Sequence, residues 1–235
     1  EDARSLLLPL AKEINTRLDE CGFTWCKGNI MASNPDLCRS ANEWEEWYYR
    51  FIQTNTPENL LNSSIFLDMR PIWGDEKVAT EMFKRVVATI QKNTLFQKMM
   101  AACAMHHRPP LNMFKGFVYA KGGEKHTIDL KTQGLTPFVD AARILSLGHG
   151  IIESNTIDRI HALVKCGVMD SKDANAWIES YGLIQLLRMR NHQELSRTGK
   201  ELTNRISPAQ LNQLEQRILR ESFRQAKRLQ HKLEI

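Results

Sequence analysis

The sequence has no apolar run approaching the ~20 residues that a membrane span needs. Its opening, Glu1-Asp2-Ala3-Arg4, is acidic and lacks the cleavage pattern of a signal peptide. A cytoplasmic protein with no membrane partner is expected. Cysteine is sparse, with five residues and no C-x-x-C pair. Cys21, Cys26 and Cys38 lie fairly close together, but a zinc site wants ligands paired at short spacing, so reduced, buried thiols are expected. A Gly-rich phosphate loop is also missing, since Lys121-Gly122-Gly123-Glu124 reads as a turn. No Ser-His-Asp or Cys-His arrangement can be argued from the spacing. His106-His107, before Arg108-Pro109-Pro110, has no carboxylate at ligand spacing and reads as a pair of loop histidines. There is no internal repeat and no low-complexity linker.

What is there is enough for a core. The 235 residues are 42% hydrophobic, which suits one large domain or two small ones. The net charge of +5 and pI near 9.0 suit a nucleotide-phosphate ligand or an acidic partner. Much of the excess sits in the last helix, at Arg217, Arg220, Arg224, Lys227, Arg228 and Lys232. Such a run usually marks a solvated face; nucleic-acid binding is the rarer meaning.

The pattern is mostly helical. Leu7, Leu10, Ile14 and Leu18 recur at helical spacing over 6–20, and Gly22 follows as a stop. Residues 23–31 carry β-formers and read as a strand. Ser40 and Glu43 make a capping box, opening a helix with Trp44, Trp47, Tyr48 and Phe51 on one stripe, read as core packing. Residues 65–72 read as a largely buried strand, and Gly74-Asp75 starts a helix carrying Val78, Met82, Val86 and Ile90. Another helix covers 95–105 and stops before Pro109-Pro110. Residues 114–119 and 125–130 flank Gly122-Gly123 as a hairpin. Helices then open at Thr136-Pro137, Thr156, Ser171 and Ser207-Pro208. The composition shifts near residue 93, which divides the chain into 1–93 and a helical domain over 94–235 with the hairpin near 114–131. The expected class is α+β, mostly helical.

Asp68 needs explaining. Ile65, Phe66, Leu67 and Met69 surround it, and a carboxylate among them is costly without a cation or donors. On a strand, Arg70 would share its face and pair with it. The alternative is a carboxylate at a sheet edge that helps hold a divalent metal.

Several short strings in order carry a resemblance. They are Cys-x-Gly-x-Ile-Met-Ala-x-Asn-Pro over 26–35, Ile65 to Arg70 with Gly74-Asp75, and Asp129-Leu130-Lys131 with Gly134. Asp140-Ala141-Ala142-Arg143, Asn155-Thr156 with Arg159, and Arg188-Met189-Arg190 with His192-Gln193 follow, then Ser207-Pro208 and the last helix. Together they span nearly the whole chain. They resemble a bacterial family of nucleotidyltransferases found behind CBS or cyclic-nucleotide-binding modules. More distantly they are similar to glutamine synthetase adenylyltransferases and PII uridylyltransferases. The resemblance implies part of a polymerase-β-like sheet followed by a helical bundle. It also implies nucleoside monophosphate transfer from a nucleoside triphosphate, with a protein among the acceptors it allows, in signal transduction. Such enzymes hold two Mg²⁺ ions with three carboxylates. Asp68 matches the third of these, as catalytic residue and metal ligand. Its companions belong to a Gly-Ser … Asp-x-Asp motif that this chain lacks, so an incomplete carboxylate set and no activity for this chain alone are expected.

Other candidate contacts to nucleotide or target are Gly28, Asn29, Arg70, Asp129, Lys131, Arg143 and Arg190. For each an ordinary role competes. Gly28 and Asn29 suit a strand end, Asp129 and Lys131 a salt bridge, and Asp140 with Arg143 a helical surface pair. Arg188, Arg190 and His192 suit the end of a long helix. Two rival functions stand beside the enzyme: a non-catalytic interaction module, such as a homodimer formed through the helices, and nucleic-acid binding through the basic last helix.

Overall fold

A computed structural model describes residues 3–54, 56–112, 116–119 and 126–234. Among these, nine α-helices and one two-stranded antiparallel sheet form, so the mostly helical α+β class holds. The helices are α1 (Ala3–Glu20), α2 (Ala41–Gln53), α3 (Pro57–Phe66), α4 (Glu76–Lys92), α5 (Thr94–Ala104), α6 (Thr136–Gly148), α7 (Thr156–Lys165), α8 (Ser171–Arg197) and α9 (Gln213–His231). The strands are β1 (Ile128–Asp129) and β2 (Arg205–Ile206), with Ile128 opposite Ile206 and Asp129 opposite Arg205. The chain divides into two compact units, Glu1–Arg50 and Phe51–Ile235.

In the first unit, α1 ends as its sequence dictates. Gly22 takes a positive φ of 94°, and the Phe23 amide reaches back to the Leu18 carbonyl. No described residue of α1 is buried, and Leu6, Leu10, Ile14 and Leu18 form an exposed ridge at i+4 spacing. The Ser40–Glu43 capping box forms in both directions, at 3.3 and 2.8 Å. The amide of Ser40 and the guanidinium of Arg4 lower the Glu43 carboxyl to about 2. The expected strand over 23–31 does not form. Its described residues are exposed on both faces, apart from a half-buried Met31, and no described strand pairs with it. Local acceptors take its amides instead: Asp19 accepts from Trp25, and the Met31 sulfur from Cys26.

The second unit is built around α6. Its sequence is apolar on nearly every side, so it is buried on nearly every side. It packs against α4, α5, α7 and α9, while α8 runs along α9. Phe96, Phe138, Ile160, Trp177 and Phe223 from five helices are fully or almost fully enclosed. α4 buries Met82, Val86 and Ile90 as its periodicity requires, while Val78 is exposed.

The expected strand over 65–72 is overturned. Thr56 caps the Asn59 amide and Pro57 occupies the first helical turn, so the chain enters a helix that runs through Ile65 and Phe66. Burial at Leu60, Ser63, Phe66 and Leu67 follows helical spacing. Residues beyond Asp68 are irregular, and Ile72 and Trp73 are 90% and 92% exposed. No half-sheet of a polymerase-β-like domain is therefore seen among the described residues of the first 93. The hairpin falls partly on 114–115 and 120–125, which lie outside the described residues. Of its second strand, 126–130 is described, and Ile128–Asp129 pairs with β2. Ser207-Pro208 opens only one 3₁₀ turn; α9 starts later, at a capping box of Asn212 and Glu215. The five thiols are free, as expected, but none is buried.

Candidate functional site

Four elements deliver polar and charged groups to one place in the second unit. Asp68 follows the α3 C-cap residue Leu67. Asp140 and Arg143 lie three apart on α6. Asn155 caps α7, accepting from the Ile157 and Asp158 amides, and this start turns Arg159 inward. His107 lies just beyond α5.

The Arg143 guanidinium meets Asp68 as a fork, with Nε to Oδ1 at 2.9 Å and Nη2 to Oδ2 at 2.6 Å. The Arg159 Nη2 donates to Oδ1 of the same carboxylate at 2.6 Å, and its Nε donates to the Glu153 carbonyl at 2.7 Å. Arg143 Nη1 also reaches Asp140 Oδ1 at 2.8 Å, and His107 Nδ1 lies 3.3 Å from Asp140 Oδ2. Arg159 is wholly buried, and its Nη1 has no acceptor among the described residues.

Burial alone would raise the Asp68 carboxyl, but the two guanidiniums outweigh it and lower its pKa. The two arginines respond in opposite senses. Burial depresses both, yet Arg143, held by two acids, ends raised, whereas for Arg159 burial and the neighbouring Arg143 cation outweigh Asp68 and Glu153, and it ends lowered. Both remain charged, because the ordinary guanidinium value is so high.

A groove of about 330 Å³ runs beside the cluster, past Ser63, Ser64, His107, Asp140 and Arg143. The arrangement does not fit a magnesium ion. Both Asp68 oxygens are committed to guanidiniums, and Asp140 is held by Arg143 and His107. Mg²⁺ wants about six oxygen ligands, and no group of three metal-ligating side chains occurs among the described residues. What the cluster does is lock the ends of α3 and α5 onto α6 and α7 and present a charged edge to the groove.

Of the candidate residues, the fold joins Asp68 and Arg143. Arg70 is exposed and lines a separate hollow of about 200 Å³ with Met69 and Phe83. Asp129 does not bridge to the Lys131 side chain; its carboxylate caps the Lys131 and Thr132 amides of a π-helical turn over Leu130–Leu135. Arg190 ties α8 to α9 through Glu215 at 2.7 Å. Gly28 and Asn29 belong to the first unit, where Asn29 has a positive φ of 55°. Sequence reasoning named Arg159 only as part of a motif and missed the His107 partnership. That partner lies 33 positions away, beyond any local spacing rule.

A family model described as "Putative nucleotidyltransferase substrate binding domain" matches residues 94–234, more than half of the chain. The chain belongs to this nucleotidyltransferase family. A second model, "Putative nucleotidyltransferase DUF294", matches residues 1–58. No curated protein and no solved structure matches the chain. Arg143, Arg159, Asp140 and His107 fall within the substrate-binding match, whereas Asp68 lies between the two matched spans.

Proposed function

We propose that this chain is the substrate-binding part of a nucleotidyltransferase and transfers no nucleotide by itself. One observation carries the reading: the acid at Asp68 is held by Arg143 and Arg159 through both of its oxygens. Two-metal phosphoryl chemistry needs carboxylates converging on cations; here guanidiniums occupy that position. The family's substrate-binding description over 94–234 supports the same assignment. The groove beside Asp140, Arg143 and His107 is the place where the acceptor rests, with the aspartate, the guanidinium and the imidazole along its edge. Control of transfer by CBS or cyclic-nucleotide-binding modules, with a protein as acceptor, completes the reading.

The test is incorporation of label from each of the four α-labelled ribonucleoside triphosphates, with magnesium, into the chain and into a lysate. No incorporation above a chain-free control is expected. Label transferred by this chain alone would overturn the proposal.

A further inference from the structure

A second hollow, of about 470 Å³, lies between the segment after α5 and the end of α9. That volume is within the ~300–1,000 Å³ typical of small-molecule sites. It is distinct from the groove at Asp140, and its described lining falls entirely within the substrate-binding match. None of the candidate contacts read from the sequence lines it.

Its chemistry is divided. Arg108 and Lys227 supply cationic groups, and the His231 imidazole lies one turn beyond Lys227 on α9. Among its described lining residues the one acid is Glu234, which His231 already meets at 3.0 Å. Arg108 and Lys227 have no ion pair among the described residues, so, with Glu234 as the one described acid, the described lining carries a net positive charge. Pro109, Pro110, Leu111 and Val118 give it apolar walls.

Two amides complete it, each fixed by hydrogen bonds. Gln230, 2% exposed, donates its NH₂ group to the carbonyls of Ala104 at 3.2 Å and His107 at 2.8 Å. What it has left to offer a ligand is its carbonyl oxygen. The carbonyl oxygen of Gln133 accepts the Asp129 amide at 3.0 Å, so it offers NH₂. One fixed acceptor and one fixed donor over apolar walls suit the polar edge of a flat heterocycle. The arginine and lysine suit a phosphate, the guanidinium by a two-point contact.

We infer that this hollow binds a nucleoside phosphate, the base against the Pro109–Pro110 wall between Gln133 and Gln230 and the phosphate on Arg108 and Lys227. The inference deepens the substrate-binding reading by naming a ligand class and a second place for it.

Isothermal titration of the full chain with AMP, GMP, CMP, UMP and ATP tests it, with inorganic phosphate and adenosine as the two half-ligands. At least one nucleoside phosphate is expected to bind one-to-one, about tenfold or more tighter than either half-ligand. Arg108→Glu and Lys227→Glu, both exposed positions, should each weaken it about tenfold. Lys92→Glu, an exposed charge reversal outside the hollow, should leave it unchanged. The inference is overturned if no nucleoside phosphate binds more tightly than inorganic phosphate, or if the two reversals behave like Lys92→Glu. These outcomes are independent of the labelled-transfer assay, which judges the function reading alone.

Discussion

Asp68 is the residue on which the ionic cluster turns. Its side chain is 28% exposed, while those of Arg143 and Arg159 are 7% and 0% exposed. Removing its charge leaves the buried Arg159 guanidinium without its carboxylate partner and Arg143 with Asp140 alone, and Arg159 already has one unpaired N–H. Asp68→Asn should therefore cost about 3 kcal/mol at neutral pH, the low end for breaking a buried pair because the carboxylate is partly wet. The sign of the pH dependence follows from its lowered pKa. The unfolded chain takes up the proton first, so the stabilisation is full above the ordinary aspartate value of about 3.9. It disappears as pH falls through the folded value. Urea denaturation of wild type and variant from pH 7 to pH 2 should show a gap that narrows below about pH 4. A gap that stays constant across that range would mean Asp68 acts by shape rather than charge.

Among the elements, the helices were legible and the strands were not, and the difference is physical. Ser40 with Glu43, Asn155 before Thr156, and Gly22 with its positive φ act through neighbours in the chain, so their signals survive in sequence. Residues 65–72 look like a strand because apolar residues crowd together there, but Thr56 and Pro57 had already started a helix, and a cap nine residues upstream outweighs β-propensity. The candidate site was half legible. The oddity of Asp68 was visible, but its partners, 75 and 91 positions away, were not. Gly134, noticed only as part of a motif, has a packing reason. A methyl there would sit 3.0 Å from Ile184 Cγ2 and 3.3 Å from Phe223, both fully buried. Gly134→Ala should destabilise the protein by about 1–3 kcal/mol through overpacking between the π-helical turn, α8 and α9. A thermal or urea midpoint at or above that of wild type would refute it.

At the scale of the whole molecule, the +5 charge raises the question of nucleic acid. On α9, Arg224 pairs with Glu221 and Arg220 lies 5.1 Å from the Phe117 ring, whereas Arg217, Lys227, Arg228 and Lys232 are exposed. Four phosphate contacts set the ceiling. Binding to a single-stranded oligonucleotide should vary with salt with a log–log slope no steeper than about −3 and should fade by about 0.2 M. A steeper slope would show that another basic surface takes part.

The tryptophans differ widely in their surroundings: Trp177 is sealed in the bundle at 1% exposure, while Trp73 stands five residues beyond Asp68 at 92%. The molecule thus carries its own optical gauge. With Trp25, Trp44 and Trp47 replaced by phenylalanine, light from Trp73 is open to quenching by dissolved iodide while light from Trp177 is shielded, and the contrast between them registers a rearrangement of the stretch that anchors the carboxylate.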